Sequence, residues 1–315
     1  MLPPRVPIRT MTMNKQMHTQ ADLGSFKKNI YSQFGEDGVI EEILKRISSS
    51  ASTNGWCVEF GAWDGIHLSN TCNLIRNKNY KAVLIEGDKD KHEQLKTNIP
   101  QDDVWKFCRF VTFEGEDTLD GILSTTPIPE DFDFLSIDID GCDYYIFDSL
   151  TQYRPKIICI EFNPTIPNEV EFVQPKDFRT KQGASAKSII KLGNKKNYSL
   201  VAVTECNVFM VRKDYQEIVI GREPADLNQL RSDTRSKVFL FVGFDGTILS
   251  NKEELYLEWH EIPMKTNCIQ YLPRYLRTYP LDYTLPQKLL FTLWLAFRDP
   301  RKFLSFLRKK FKALG

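Results

Sequence analysis

The sequence has no Cys-x-x-Cys pair and no Cys/His cluster at zinc-ligand spacing, which excludes a structural zinc site or a redox dithiol of those kinds. Its seven cysteines (Cys57, Cys72, Cys108, Cys142, Cys159, Cys206, Cys268) fall in apolar runs, the usage of free thiols in a reducing compartment. It has no surplus of one charge. Lys and Arg number 42 against 41 Asp and Glu, so the whole chain presents no field to gather nucleic acid. It lacks an apolar run long enough to cross a bilayer, LLFTLWLAF near the C-terminus being too short. The opening MLPPRVPIRTMTMNKQMHT has neither the apolar stretch nor the cleavage site of a secretory signal. Residues 1–28 are therefore expected to be a poorly ordered leader, and the cytoplasm the compartment.

What is present is an ordinary globular composition, 42% hydrophobic and 26% charged over 315 residues, enough for a large core. From 29 to 213, short β-rich runs alternate with amphipathic stretches, the pattern of a parallel sheet with crossover helices. GVIEEILKRI (38–47) presents Val39, Ile40, Ile43, Leu44 and Ile47 on one helical face. Strands are expected at 56–60, 81–86, 105–113, 132–139 and 156–162, with helices near 69–77, at TLDGIL and at SAKSIIKLGNKK. YSLVAVT and NVFMVR, separated only by Glu205 and Cys206, read as an antiparallel hairpin. The fold expected is α/β, a mostly parallel seven-stranded sheet ending in that hairpin, a layout that resembles class I (Rossmann-like) methyltransferases. An accessory lobe is expected at 214–284 and a helical tail at 285–315.

EFGAWDG follows the first strand directly, so Gly61 and Gly65 can turn tightly and bring backbone N–H groups to a ligand. Glu59 and Asp64 would repel a pyrophosphate but suit the amino and sulfonium groups of S-adenosylmethionine. The second strand ends in Glu86 and Gly87, where a carboxylate can accept from ribose hydroxyls; a solvated strand-end glutamate is the plainer reading. After the third strand, Glu116 or Asp117 can take an adenine amino group or simply cap the next helix. In YSQFGED, Gln33, with Glu36 and Asp37, can fold over the methionine end of the ligand or serve as helix N-capping. His67 beside the glycine loop is either a general base or a packing residue.

The fourth strand ends in IDIDGCD and the fifth in EFNP, so Asp138, Asp140, Asp143, Glu161 and Asn163 converge where an acceptor should sit. Such crowding needs a cation or a shared proton. Asp138, Glu161 and Asn163 are the residues that would hold Mg²⁺ or another divalent ion, and an Asx turn at Gly141 is the competing account. GFDGTIL (243–249) resembles the DxDGT loop of haloacid-dehalogenase phosphatases, but Gly243 stands where the nucleophilic aspartate would be, so Asp245-Gly246 reads as a hairpin turn.

With YSQFGEDG, EFGAWDGIHLSNT, VLIEGD, TLD, FLSIDIDG, IEFNP and TECNVFMVR in this order, residues 30–213 resemble the FkbM-like family of S-adenosylmethionine-dependent methyltransferases. The resemblance implies methyl transfer to a hydroxyl, often on sugars or polyketide-type products, with the methyl donor bound at the motif loop and Glu86. A glycan, glycolipid or related small metabolite is the acceptor expected, and Asp138, Asp140, Glu161, Asn163 and His67 are the catalytic positions expected from the strand ends and the glycine loop. A catalytically silent module in a membrane assembly and a nicotinamide-dependent oxidoreductase are the other readings.

The tail carries eight basic residues against the single acid Asp299. Asp299-Pro300 is a helix start. Phe303, Leu304, Phe306, Leu307 and Phe311 then share one arc, opposite Arg301, Lys302, Arg308, Lys309 and Lys312. This suits peripheral contact with the inner face of an anionic membrane, or docking on the protein's own body or on a second copy in an oligomer.

Overall fold

The computed structural model describes residues 22–233, 237–252, 254–257 and 260–305. The leader up to 21 and tail residues 306–315, with Phe306, Leu307 and Phe311, lie outside the described residues. Contacts divide the chain into two units, 1–236 and 237–315.

The first unit is built on seven strands: β1 (Trp56–Phe60), β2 (Lys81–Glu86), β3 (Val104–Cys108), β4 (Phe134–Ile137), β5 (Ile157–Glu161), β6 (Tyr198–Val203) and β7 (Asn207–Arg212). Their order is β3-β2-β1-β4-β5-β7-β6, parallel except at β7, which is antiparallel to both β5 and β6. That is the class I methyltransferase fold. Alternate residues of the central strands feed two cores. Val58, Phe60, Val83, Ile85, Leu135 and Ile137 join one; Cys57, Ala82, Leu84 and Phe134 join the other. Both faces being covered, Ala82–Ile85 of β2, Ile157–Ile160 of β5 and Val208–Val211 of β7 read as unbroken apolar runs rather than alternations.

The helices are α1 (Glu36–Ser48), α2 (Cys72–Lys78), α3 (Lys89–Asn98), α4 (Leu119–Leu123), α5 (Asp143–Ser149), α6 (Ala186–Lys195), α7 (Lys213–Ile220) and α8 (Leu227–Leu230). Val39, Ile40, Ile43 and Ile47 of α1 are buried, as their periodicity predicts. Two boundaries differ from the sequence reading. Residues 22–28, assigned to the leader, include a 3-10 turn (Leu23–Phe26) whose Leu23 is buried in the second core. The segment after 213 does not leave the sheet. β7 runs directly into α7, whose Val219 is buried and whose carbonyl accepts from Arg46 of α1 (2.7 Å), so the contact boundary falls at 236/237 rather than at 214.

The second unit holds two hairpins, β8 (Leu240–Val242) with β9 (Ile248–Ser250) and β10 (Glu254–Leu257) with β11 (Ile262–Lys265), and the helix α9 (Leu285–Arg298). Asp245 and Gly246 turn the chain between β8 and β9, as expected for a hairpin turn there: Gly246 has φ 81° and Gly243 N–H donates to the Thr247 carbonyl (2.8 Å). Thr284 and Gln287 form a reciprocal capping box at the start of α9. A further helix begins at Pro300, with Asp299 accepting from the Lys302 N–H (2.9 Å), as expected for a capping aspartate before a first-turn proline.

Candidate active site

A cavity of about 760 Å³ opens at the carboxyl ends of β1, β2 and β4, where an open α/β sheet binds ligands. One carboxylate joins its two nearest loops. Glu86, at the end of β2, accepts from Trp63 N–H (2.8 Å) through one oxygen and from Asp88 N–H (2.7 Å) through the other. The acidic turn after β1 and the end of β2 are thus held together, and each Glu86 oxygen keeps a lone pair for a further donor.

Gly61 starts that turn at φ 74°, and a Cβ there would lie 1.7 Å from the Asp138 carbonyl oxygen. Only glycine lets the β1 loop pass so close to the end of β4. Gly87 lines the cavity with the Phe110 ring against it, whereas Gly65 faces α3, against Leu95 and Ile99.

The acids around the turn are used differently from the sequence expectation. Glu59 lines the cavity, but its carboxylate accepts from Ser69 Oγ (2.6 Å), Thr71 Oγ1 (2.7 Å) and Asn70 N–H (2.8 Å). Burial pushes its pKa up, with the charge of Asp37 adding to it, against those three donors. Asp64 accepts from Ile66 N–H (2.9 Å) and His67 N–H (2.7 Å). Glu59 thus braces the loop through both oxygens, and Asp64 braces it through Oδ1. His67 is exposed and lines the cavity.

Gln33, Glu116 and Asp117 are not among the lining residues. The Gln33 carbonyl accepts from Asn29 Nδ2 (2.8 Å), within a turn that Asp37 organises by accepting from the N–H groups of Ile30, Tyr31 and Ser32. Asp117 pairs with Arg109 (2.9 Å), and Thr118 caps α4. Val111 and Thr112 line the cavity in their place.

At the far end Asp138 and Asp140 line the cavity, and Glu161, itself not among the lining residues, offers an oxygen within 4.8 Å of one on each of them. Asn163, the expected third ion ligand, is committed elsewhere: its Oδ1 accepts from Thr165 N–H (2.9 Å) and Oγ1 (2.6 Å), and its Nδ2 donates to the Gln182 carbonyl (2.8 Å). Asp143 closes the turn by reaching back, accepting from Ile139 N–H (2.8 Å) and Gly141 N–H (2.9 Å), and Asp140 between them has φ 56°.

Asp138 and Glu161 hydrogen-bond to each other, and both pKa values are raised, to about 7 and about 10. Burial is the first cause, followed by the Asp143 charge for Asp138 and the Asp138 charge for Glu161. At neutral pH the pair therefore keeps a shared proton. In the unfolded chain the same carboxyls ionise near their ordinary values, roughly 4. The folded state then binds more protons over the interval from about 4 through neutrality, and stability falls as pH rises across it. The melting temperature of Glu161→Gln is expected to decline less than wild type between about pH 6 and about pH 8. Parallel declines in the two proteins would rule the shared proton out.

Sequence reasoning did not single out Trp63, Phe110, Phe178 or Lys181, which also line the cavity. Trp63 lies under the Lys91 ammonium (4.2 Å to the ring), and Phe110 is 76% exposed. Phe178 and Lys181 come from the segment between β5 and α6. Buried Gln174 gathers that segment, accepting from Gln182 N–H (2.9 Å) and Gly183 N–H (2.8 Å) and donating to the Asp177 carbonyl (3.3 Å). Phe178 stacks on Phe113 at 4.4 Å.

Residues 116–200 match the model of the methyltransferase FkbM domain. No curated protein matches the chain. Similar solved structures include a SAM-dependent methyltransferase from Aquifex aeolicus (12% identity, 55% of this chain and 89% of that one, TM-score 0.34). The CMeT domain of the citrinin polyketide synthase is another (11%, 58% and 54%, TM-score 0.37), as is the glycopeptide N-methyltransferase MtfA complexed with S-adenosylmethionine (9%, 54% and 85%, TM-score 0.31). The fold rests on the strand order itself. The chain is thus similar to the methyltransferase FkbM domain over residues 116–200, and its sheet has the strand order of the class I methyltransferase fold.

Proposed function

We propose that the protein is an S-adenosylmethionine-dependent O-methyltransferase acting on a hydroxyl of a glycan, glycolipid or related small metabolite. The observation that carries the reading is Glu86, which ties the β1 turn to the end of β2 at the rim of a cavity that continues to Asp138 and Asp140. The cavity volume lies in the range of small-molecule sites, and its lining supplies what the donor needs: spare carboxylate lone pairs for vicinal hydroxyls and the exposed faces of Phe110 and Trp63 for a flat ring. Bound there, S-adenosylmethionine supplies an electrophilic methyl group.

The chain's own residues do the rest. Glu86 and the Gly61 turn fix the donor end, while Phe178 and Lys181 border the acceptor end. Asp138 and Glu161, sharing a proton, offer one acceptor oxygen to a substrate hydroxyl and can take its proton as the new C–O bond forms. The main contribution is alignment of two bound partners.

Calorimetric titration with S-adenosylhomocysteine is the first test, and no binding would remove the donor site. Transfer of labelled methyl groups to a panel of hydroxylated glycans and glycolipids is the second; label recovered on nitrogen or carbon would sink the O-methyl assignment. Asp138→Asn, which cannot accept the proton, is expected to lower turnover roughly 100-fold with S-adenosylhomocysteine affinity little changed. Inhibition by a chelator, reversed by Mg²⁺, would instead make Asp138, Asp140 and Glu161 ion ligands.

A further inference from the structure

We infer that the outer face of α9, with the basic helix that follows it, is a docking surface for an anionic lipid bilayer. The inference stands on the second unit alone and does not depend on the methyltransferase reading.

The helix is apolar on two sides, and among the described residues one of them is packed and the other is exposed. On the inner side Phe291 packs on Tyr283 (ring centroids 5.8 Å), Trp294 meets Tyr271 (5.1 Å), and Leu295 is buried. On the outer side Leu285, Leu289, Leu293 and Phe297 recur every four residues and are 82%, 63%, 52% and 91% exposed. Side chains four apart stack along one flank of a helix, so these make a continuous stripe. Folded proteins seldom leave such a stripe in water. Leu304, in the helix that begins at Pro300, is also exposed.

The charge decides what covers it. Across 285–315 there are eight Lys and Arg and one acid, Asp299. Arg301 and Lys302 are exposed beside the apolar residues. Two copies meeting through this face in a symmetric dimer would bring like charges together. A phosphate-bearing membrane surface neutralises the basic residues while its acyl boundary takes the leucines and Phe297. No described helix is long and apolar enough to cross a membrane, so α9 would lie in the plane of the interface.

The test uses the full chain and sedimentation with vesicles of phosphatidylglycerol and phosphatidylcholine in equal parts, against phosphatidylcholine alone. The wild type is expected to pellet at least about tenfold better with the anionic vesicles, and to be released at about 1 M salt. Leu289→Glu with Phe297→Glu is expected to reduce that pelleting roughly tenfold or more, with an unchanged melting temperature because both residues are exposed. Should that variant melt early, Arg301→Glu with Lys302→Glu, which alters charge only, is expected to give the same loss. Equal pelleting with both vesicles, pelleting with neither, or variants that sediment like wild type would overturn the inference. So would a lipid-independent dimer that the same substitutions dissociate, which would assign the face to a second copy.

Discussion

Glu86→Ala weakens binding of S-adenosylhomocysteine by roughly 100-fold to 1000-fold, because one side chain does three jobs. Its two oxygens hold Trp63 N–H and Asp88 N–H, and in the proposed function the lone pairs left over are offered to the ligand's hydroxyls. Hydrogen bonds to a charged group contribute about 1.5–3 kcal/mol each, and losing two of them also frees the loops that shape the rim. Glu86→Gln is a sharper experiment. Both carboxylate oxygens accept from N–H groups, so an amide must turn its NH₂ toward one of those donors, whichever way it is flipped. The glutamine variant is therefore expected to bind nearly as poorly as the alanine variant. A calorimetric titration in which glutamine restores wild-type affinity would show that Glu86 acts through shape alone.

Gly61→Ala is expected to cost roughly 4 kcal/mol or more of stability and to abolish ligand binding. A methyl group there would sit 1.7 Å from the Asp138 carbonyl oxygen, a backbone atom that cannot rotate away, and φ 74° is itself strained for any residue with a Cβ. Relief requires the ends of β1 and β4 to separate, and these neighbouring strands both end at the cavity. Scanning calorimetry should find the melting temperature lower by about 10 °C. A variant that melts within a degree or two of wild type and still binds would mean that the loop does not pass where the structure puts it.

The sheet was readable from sequence because burial on both faces leaves a distinctive trace. β1, β2 and β7 span the segments WCVEF, KAVLIE and NVFMVR that their apolar centres mark out. The third strand was read too long. Arg109, Phe110 and Phe113 continue the aromatic pattern of WKFCRFVTF, yet β3 ends at Cys108 and Phe110 stands in the cavity. Periodicity cannot separate an aromatic that packs a core from one left free at a strand end.

The site was legible in its positions and less so in its roles. Gly61, Glu86 and Asp138 meet as the motif spacing suggested. Glu59, however, is consumed by donors that a linear reading does not bring to it, since Ser69 and Thr71 fold back ten and twelve residues later, while Asp64 accepts locally from Ile66 and His67 N–H. Asn163 is diverted in the same way by Thr165. Phe178 and Lys181 lie in a stretch without periodicity, placed by Gln174 rather than by any pattern of their own.

That glutamine has a wider meaning for how such a molecule can change. By clasping both sides of one excursion from within, at Asp177 and at Gln182–Gly183, it separates the stalk of the excursion from its crown. Substitutions at the crown can alter what is admitted to the chamber while the sheet beneath keeps its register, so new tastes can evolve on an unaltered frame.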